Sequence, residues 1–304
     1  MAAQSKPFRI ADDVSRSRNI PWFQSKIGSS LTPAGRSLLE IYSGIPASEV
    51  EAHIYDTRDS VWEIFPWPCV GEFWFVTLGL SQHPQYDTLL TRLRNQTPPT
   101  KFLDLGCCLG QDLRKLVHDG APLEALWGSD YFAKYEGAGQ EFFRDKDRFQ
   151  NRFIAADLFD ESPDSGLVPT AGTWDVISIV MFLHMYDWNR QVQCCRQILK
   201  LLSKSKGSMV IGAQTGAIDA EEVVLKPPYV AEGEERTVFR HNIKTFTRMW
   251  QEVGNEVGVQ LDISVVYDHQ ADRERRVKEE QGGGKDKFFS GATHRRLCFT
   301  VTIA

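Results

Sequence analysis

Two periods of apolar spacing divide the chain. Up to residue 99 the hydrophobic positions recur at helical intervals. Thr32-Pro33 reads as an N-cap followed by a proline at the first helical position, with Leu38 and Leu39 behind it. Pro46 opens a second helix, in which Val50, Ile54, Val61, Ile64 and Phe65 share one face, and Pro66 and Pro68 stop it. An aromatic-dense stretch follows, with Trp62, Phe65, Trp67, Phe73, Trp74 and Phe75. A third helix is expected over residues 83–95, carrying Tyr86, Leu89, Leu90 and Leu93. Thr97-Pro98-Pro99 ends the region, so residues 1–99 read as an N-terminal helical cap or lid.

From residue 101 short apolar runs alternate with amphipathic segments. Strands are expected at 101–105, 125–129, 152–156, 174–180 and 208–213, and the last two at 259–267 and 296–303. Helices are expected at 111–118, 189–202 and 242–257, the last capped by Asn242. Strands alternating with helices predict an α/β architecture, a mostly parallel sheet covered on both faces, over residues 100–304. Residues 271–287 hold six basic and five acidic side chains plus Gly282-Gly283-Gly284, too polar for a core. They read as part of a flexible, solvated insertion over 268–294.

Composition narrows the function classes. The 304 residues suit one large domain or two modest ones. A net charge of −5 disfavours nucleic acid as a partner. No apolar run reaches the ~18 residues of a transmembrane helix. No signal peptide is indicated at the N-terminus. The six cysteines include the adjacent pairs Cys107/Cys108 and Cys194/Cys195 but no C-x-x-C, so no metal site or secreted disulfide framework is suggested. The expected location is the cytoplasm, and a homodimer is compatible with the sequence.

The chemistry-bearing stretch is Phe102-Leu103-Asp104-Leu105-Gly106-Cys107-Cys108-Leu109-Gly110-Gln111-Asp112. Glycines between a strand and a helix let the backbone approach a ligand at the helix N-terminus. A nicotinamide-type fingerprint needs glycine at 106, 108 and 111, and Cys108 and Gln111 break it. Two later acids raise the signal. Asp130 ends the second expected strand, where a carboxylate can accept both hydroxyls of a ribose. Asp157 ends the third, where it and the next backbone N–H can hold the amino edge of an adenine. Ligands of open parallel sheets sit outside the carboxyl ends of the strands, where Asp104, Asp130 and Asp157 all fall.

On these residues the chain resembles the class I S-adenosylmethionine-dependent methyltransferases, and within them the fungal enzymes of meroterpenoid and polyketide biosynthesis. The resemblance is carried by 102–112, Trp127-Gly128-Ser129-Asp130-Tyr131, Ala156-Asp157-Leu158-Phe159, Trp174-Asp175-Val176-Ile177-Ser178 and Phe239-Arg240-His241-Asn242, with Phe246 and Trp250 beyond. Pro68-Cys69-Val70-Gly71-Glu72-Phe73-Trp74-Phe75 resembles the family's segment before the core. It implies a Rossmann-like seven-stranded sheet of order 3-2-1-4-5-7-6 with strand 7 antiparallel. It assigns Asp104, Gly106 and Gly110 to the methionine portion of S-adenosyl-L-methionine, Asp130 and Tyr131 to the ribose, and Asp157 and Leu158 to the adenine. The middle position of the family's glycine turn is Cys108 here.

Methyl transfer is an in-line displacement in which the protein mainly orients and desolvates the reactants. A carboxylate acceptor needs no general base at neutral pH, whereas a phenol or alcohol benefits from one. The candidates for that base are His184 and His241. Arg240 and His241 alternatively pair with a substrate carboxylate. Trp67, Phe73 and Trp74 are the candidates for an apolar pocket suited to a terpenoid or polyketide. The expected activity is O-methylation of a small hydrophobic secondary metabolite at a carboxylate or hydroxyl. A methyltransferase fold that catalyses cyclisation or rearrangement is the alternative. A non-catalytic partner protein would not need the three aspartates.

Overall fold

Short β-branched and aromatic runs assemble into one sheet in the computed structural model, which describes residues 16–230, 232–269 and 294–304. The charged segment 271–287, and all but the ends of the expected insertion 268–294, lie outside the described residues. The strands are β1 (Phe102–Leu105), β2 (Leu126–Asp130), β3 (Phe153–Ala155), β4 (Val176–Val180), β5 (Met209–Ala217), β8 (Leu261–Tyr267) and β9 (His294–Ile303), in the order β3-β2-β1-β4-β5-β9-β8. The β3-β2-β1-β4-β5 pairs are parallel, and β9 is antiparallel to both β5 and β8. Counted over the sheet alone this is the expected 3-2-1-4-5-7-6.

Burial on both faces explains why β1 and β4 lack polar alternation. Leu103, Ile177, Val210 and Val301 pack with residues of α7 (Trp188–Leu201) and α8 (Ile243–Glu256). Phe102, Val176 and Ile211 pack with α4 (Tyr86–Asn95) and α5 (Gln111–His118) on the other face. Asn242 caps α8 through a reciprocal pair with Thr245, the local reason that helix starts where the sequence predicts. No helix among the described residues is long and apolar enough to cross a membrane.

The N-terminal helices are α1 (Pro33–Ser37), α2 (Val50–Ile64) and α3 (Pro68–Gly71), followed by α4. Thr32 caps α1 by accepting from the Gly35 amide at 3.0 Å. Helix α2 starts four residues later than its proline predicts, because Pro46 opens a separate turn closed by the Glu49 amide. Helix α4 likewise starts at Tyr86, because His83 Nδ1 takes the Gln85 amide and holds residues 83–85 in a turn. Trp22, Trp62, Val61 and Phe73 are fully buried in the cap's core, and the same cluster includes Leu109, Tyr135, Phe142 and Phe143. The apolar interior of the cap therefore runs without a break into the turn after β1 and into α6 (Lys134–Phe142).

Besides the one-turn helix α3, where the sequence predicts only a proline stop, two elements are absent from the sequence-based expectation. Helix α6 contains Gly137 and Gly139, which weaken the helical pattern. A Cβ on Gly139 would collide with the Leu109 carbonyl, so the glycine permits close packing on the turn. The second is a hairpin of β6 (Glu221–Leu225) and β7 (Arg236–Arg240), outside the main sheet. Its first strand is mostly exposed and rich in glutamate, which hides it from apolar patterning. Past the hairpin's first strand, Tyr229 stacks on Trp22 with ring centroids 4.7 Å apart, tying the hairpin to the cap.

Candidate active site

The site's floor is the turn from Gly106 to Gly110, between β1 and α5. Its amides are committed in a particular way. Gly106 N and Cys107 N both donate to the Ser129 carbonyl of β2, at 2.8 and 3.0 Å. Cys108 N donates to Asp130 Oδ2 at 3.0 Å. Gly106 and Gly110 have φ of +78° and +68°, the left-handed region that glycine tolerates best. Cys108 adopts the same region at +50°, a conformation strained for a side chain and held by the Asp130 bond. A Cβ on Gly106 would meet the Phe182 ring at 2.7 Å, so that glycine allows the loop after β4 to lie against the turn.

The three expected aspartates fall along one edge. Asp104 is buried on β1, in register with Gly128 of β2 and Ser178 of β4. Asp130 ends β2, and its Oδ1 accepts from Phe132 N at 3.3 Å. Asp157 follows β3 and accepts from Phe159 N at 2.9 Å, while Leu158 is buried beside it. Tyr131 is half exposed, edge-on to Phe132 at 5.1 Å. The sheet therefore brings the expected cofactor residues together at the carboxyl ends of β1, β2 and β3.

This edge gathers buried acids whose ionisation burial opposes. Burial, and then the carboxylate of Asp112, pushes the Asp104 carboxyl well above the ordinary carboxylate range. Burial also raises Asp112, whose Oδ1 accepts the Leu80 amide at 3.0 Å. Burial lifts Asp130 to about 6, although the Cys108 and Phe132 amides pull the other way. Among the described residues no group of His, Cys, Asp and Glu is placed to hold a metal ion.

A second set of polar groups lies at the carboxyl ends of β4 and β5, under the hairpin. His184 sits in a single helical turn after β4, and its carbonyl accepts from Arg240 Nη1 at 2.7 Å. Arg240 and His241 are completely buried, and His184 nearly so. Burial, and then the charge of Arg240, holds His184 well below the ordinary imidazole range. Burial and Arg248 bring His241 down to about 3. His241 Nδ1 pairs with Thr245 Oγ1 at 3.1 Å, and its ring packs against Trp188, Phe239 and Phe246. Its Nε2 is buried without a hydrogen-bond partner.

Sequence reasoning missed Gln214. It lies on β5, past the last residue that pairs with β4, and is fully buried. Its Oε1 and Nε2 both lack partners. It shares a strand face with Gly212, whose Cβ would meet Phe299, and with Gly216, whose Cβ would collide with the His241 carbonyl. The Gln214 amide is thus one pleat below the His241 backbone. A glutamine inside an apolar strand run was the available signal, but it became informative only once β5 was seen to outrun β4.

The apolar candidates are divided. Trp67 is half buried, 4.4 Å from Phe65, which lies 5.0 Å from Phe132, so an aromatic chain links the cap to the end of β2. Trp74 is also half buried. Phe73 is fully enclosed in the cap, edge-on to Tyr55 at 5.4 Å and beneath the Arg58 guanidinium.

Residues 22–76 match the family described as the meroterpenoid methyltransferase N-terminal domain. The chain is 34% identical to the O-methyltransferase atr3 of Stereocaulon alpinum over 93% of this chain and 76% of that protein. It is 34% identical to the O-methyltransferase phiE of a fungal species, over 88% of this chain and 85% of that protein. It is 33% identical to the asnovolin E/chermesin D methyltransferase nvfJ of Aspergillus novofumigatus, over 88% of this chain and 87% of that protein.

Proposed function

The chain belongs to the class I S-adenosylmethionine-dependent methyltransferases of fungal secondary metabolism, and from that premise we propose that it methylates a carboxylate oxygen of a small hydrophobic metabolite. The observation that carries the carboxylate is the state of the two imidazoles. His241, at about 3, is a far weaker base than a free imidazole, and His184 is also held low. Moving a phenolic proton, ordinarily of pKa about 10, to such a base is uphill by on the order of 10 kcal/mol. A carboxylic acid is already ionised at neutral pH and asks for no base.

S-adenosyl-L-methionine fits the residues at the sheet edge. When bound it supplies an electrophilic methyl group on a cationic sulfonium. Burial raises the pKa values of Asp104, Asp112 and Asp130, and a bound cation would stabilise their ionised forms. Gly106 and Gly110 supply the left-handed backbone that shapes the turn. In this reading Asp104, Gly106 and Gly110 hold the methionine portion. Asp130 and Tyr131 take the ribose, and Asp157 with the Leu158 amide takes the adenine.

The acceptor's apolar body would lie against Trp67 and Trp74, with Phe73 backing them from the cap's core. Its oxygen end would be oriented by His241 Nε2 and the Gln214 amide, with the Arg240 cation behind them. A buried polar atom left without a partner costs roughly 1–3 kcal/mol, which a substrate oxygen would offset. His241 and His184 thus serve as neutral orienting groups, not as proton acceptors. The cap would act as the lid over residues 100–304. A cytoplasmic enzyme working as a monomer or homodimer, without nucleic acid, fits the same reading.

The test is a pH–rate profile joined to the chemistry of the product. Carboxylate methylation predicts a kcat/KM that is flat above about pH 6, since a carboxyl of pKa about 4 is already ionised there. It also predicts that mild alkaline hydrolysis releases the transferred methyl as methanol. A profile rising tenfold per pH unit towards pH 9, with an alkali-stable product, would sink the assignment in favour of a phenol.

A further inference from the structure

Against the turn, at the Leu109 carbonyl, lies a buried ion pair with no part in methyl transfer as derived so far. Arg114 Nε and Nη2 donate to Asp145 Oδ2 and Oδ1 at 2.9 and 3.0 Å, a parallel two-bond fork. Both side chains are nearly inaccessible, and the guanidinium stacks 3.8 Å from the Phe149 ring centroid. Its remaining donor, Nη1, reaches back to the Leu109 carbonyl at 3.2 Å. Asp145 Oδ2 accepts a third bond, from Tyr42 Oη at 2.8 Å. The chain of contacts therefore runs from the cap, through Asp145 and Arg114, to the backbone of the turn.

Two observations make this more than a stability element. An ion pair buried to this degree is not by itself a strong stabiliser, since apolar residues of the same volume often do as well. Its contact with the turn supplies a positional role instead. The Leu109 carbonyl is also crowded by α6: a Cβ on Gly139 would collide with it. A Cβ on Gly110 would collide with Arg114 Nη1. The peptide between Cys108, at φ +50°, and Gly110, at φ +68°, is thus held against a guanidinium and a helix backbone. The left-handed conformation of Cys108 is sparsely populated, and such a backbone persists only where its surroundings over-determine it.

We propose that Arg114 is a positioning residue for the cofactor. Oriented by Asp145 and Tyr42, it fixes the Leu109 peptide and so the shape of the turn that receives the methionine end of S-adenosyl-L-methionine. The inference rests on the cofactor assignment above, which binding of S-adenosylhomocysteine to the unaltered protein checks separately. Arg114 touches the turn at the Leu109 carbonyl and takes no part in the chemistry.

The test compares two ligands by calorimetry on the full chain. S-adenosylhomocysteine carries the amino acid end, while 5′-methylthioadenosine keeps the adenosine and sulfur and lacks that end. Arg114→Met removes the bonds to Leu109 and Asp145. It should weaken S-adenosylhomocysteine by roughly 10- to 100-fold, the worth of one or two charge-assisted hydrogen bonds, with 5′-methylthioadenosine changed less than about threefold. Arg114→Lys, which keeps the cation and one donor, should recover part of the loss. Tyr42→Phe removes only the outermost bond and should give the same asymmetry at a few-fold, so it carries the test if Arg114→Met does not fold. Equal weakening of both ligands would make the ion pair a general support of the fold and overturn the proposal. Unchanged affinity for both would overturn it too.

Discussion

Replacing Asp130 by alanine tests the joint between the turn and the ribose. In the folded chain this carboxylate accepts from Cys108 N at 3.0 Å and Phe132 N at 3.3 Å. In the proposed cofactor assignment it would also accept from the ribose diol. A hydrogen bond to a charged group contributes roughly 1.5–3 kcal/mol. Two ribose hydroxyls on one carboxylate therefore stand for about 3 kcal/mol, once the burial that already opposes the charge is allowed for. That corresponds to about a 100-fold rise in the Kd for S-adenosylhomocysteine. Stability should change less, because losing an acceptor for two amides is partly balanced by relieving a buried charge. A net cost of about 1 kcal/mol lowers the melting temperature by roughly 2–4 °C in a protein of this size or somewhat smaller. Asp130→Asn keeps one carbonyl acceptor and should fall between the two. Calorimetry gives the affinities and thermal melts the folding. Unlike the Arg114 variants, Asp130→Ala should also weaken 5′-methylthioadenosine, since that ligand too carries the ribose. A folded Asp130→Ala protein that binds S-adenosylhomocysteine within threefold of the parent would refute the reasoning.

Further consequences can be checked independently. Gly139→Ala should force α6 away from the Leu109 carbonyl, costing roughly 1–3 kcal/mol of stability by overpacking and weakening S-adenosylhomocysteine; an unchanged melt and Kd would show that the contact yields freely. Binding of S-adenosyl-L-methionine at pH 6 should release protons, because a cation favours the ionised forms of acids that burial has raised, Asp130 among them at about 6; calorimetric heats identical in buffers of different ionisation enthalpy would contradict this. His83 and His241 have folded pKa values lowered to about 4 and about 3, so their contribution to stability is present above the unfolded value of about 6.5 and is lost as pH falls towards those values; His83→Gln should flatten that acid-side slope in melts taken from pH 7 to pH 4. Gln214→Leu should leave S-adenosylhomocysteine binding intact, raise or preserve the melting temperature, and lower kcat/KM for the acceptor; full activity in that variant would remove Gln214 from the acceptor's oxygen end.

How far the sequence carries depends on whether a feature is local. The strand runs around Asp104, Asp130 and Asp157 are short, apolar and carry an acid at or near their ends, so a parallel sheet and the three carboxylates could be read together, while the strand order is what the family resemblance implies. Helix α6 could not, because Gly137 and Gly139 depress the helical signal, and the reason for Gly139 is a carbonyl thirty residues earlier. Asp145 reads as one acid in the mixed-charge run Arg144-Asp145-Lys146-Asp147-Arg148, and Arg114 as a polar helix residue; only their contact across the fold shows both to be buried. His184 and His241 were legible as candidates, but their burial, on which the proposed orienting role rests, involves Arg240 of the hairpin β6–β7. That hairpin has one face in solvent and little apolar pattern of its own. Phe73 was grouped with Trp67 and Trp74 by composition, and its left-handed backbone, φ +61°, turns it into the cap instead.

The central claim is methyl transfer to an oxygen of a small acid. The most direct measurement incubates the protein with methyl-labelled S-adenosyl-L-methionine and a panel of aromatic and terpenoid carboxylic acids, and follows products and S-adenosylhomocysteine by mass. The account predicts an acceptor heavier by one labelled methyl, formed in equal amount with S-adenosylhomocysteine. An acceptor converted to an isomer of unchanged mass, with no S-adenosylhomocysteine formed, would contradict it.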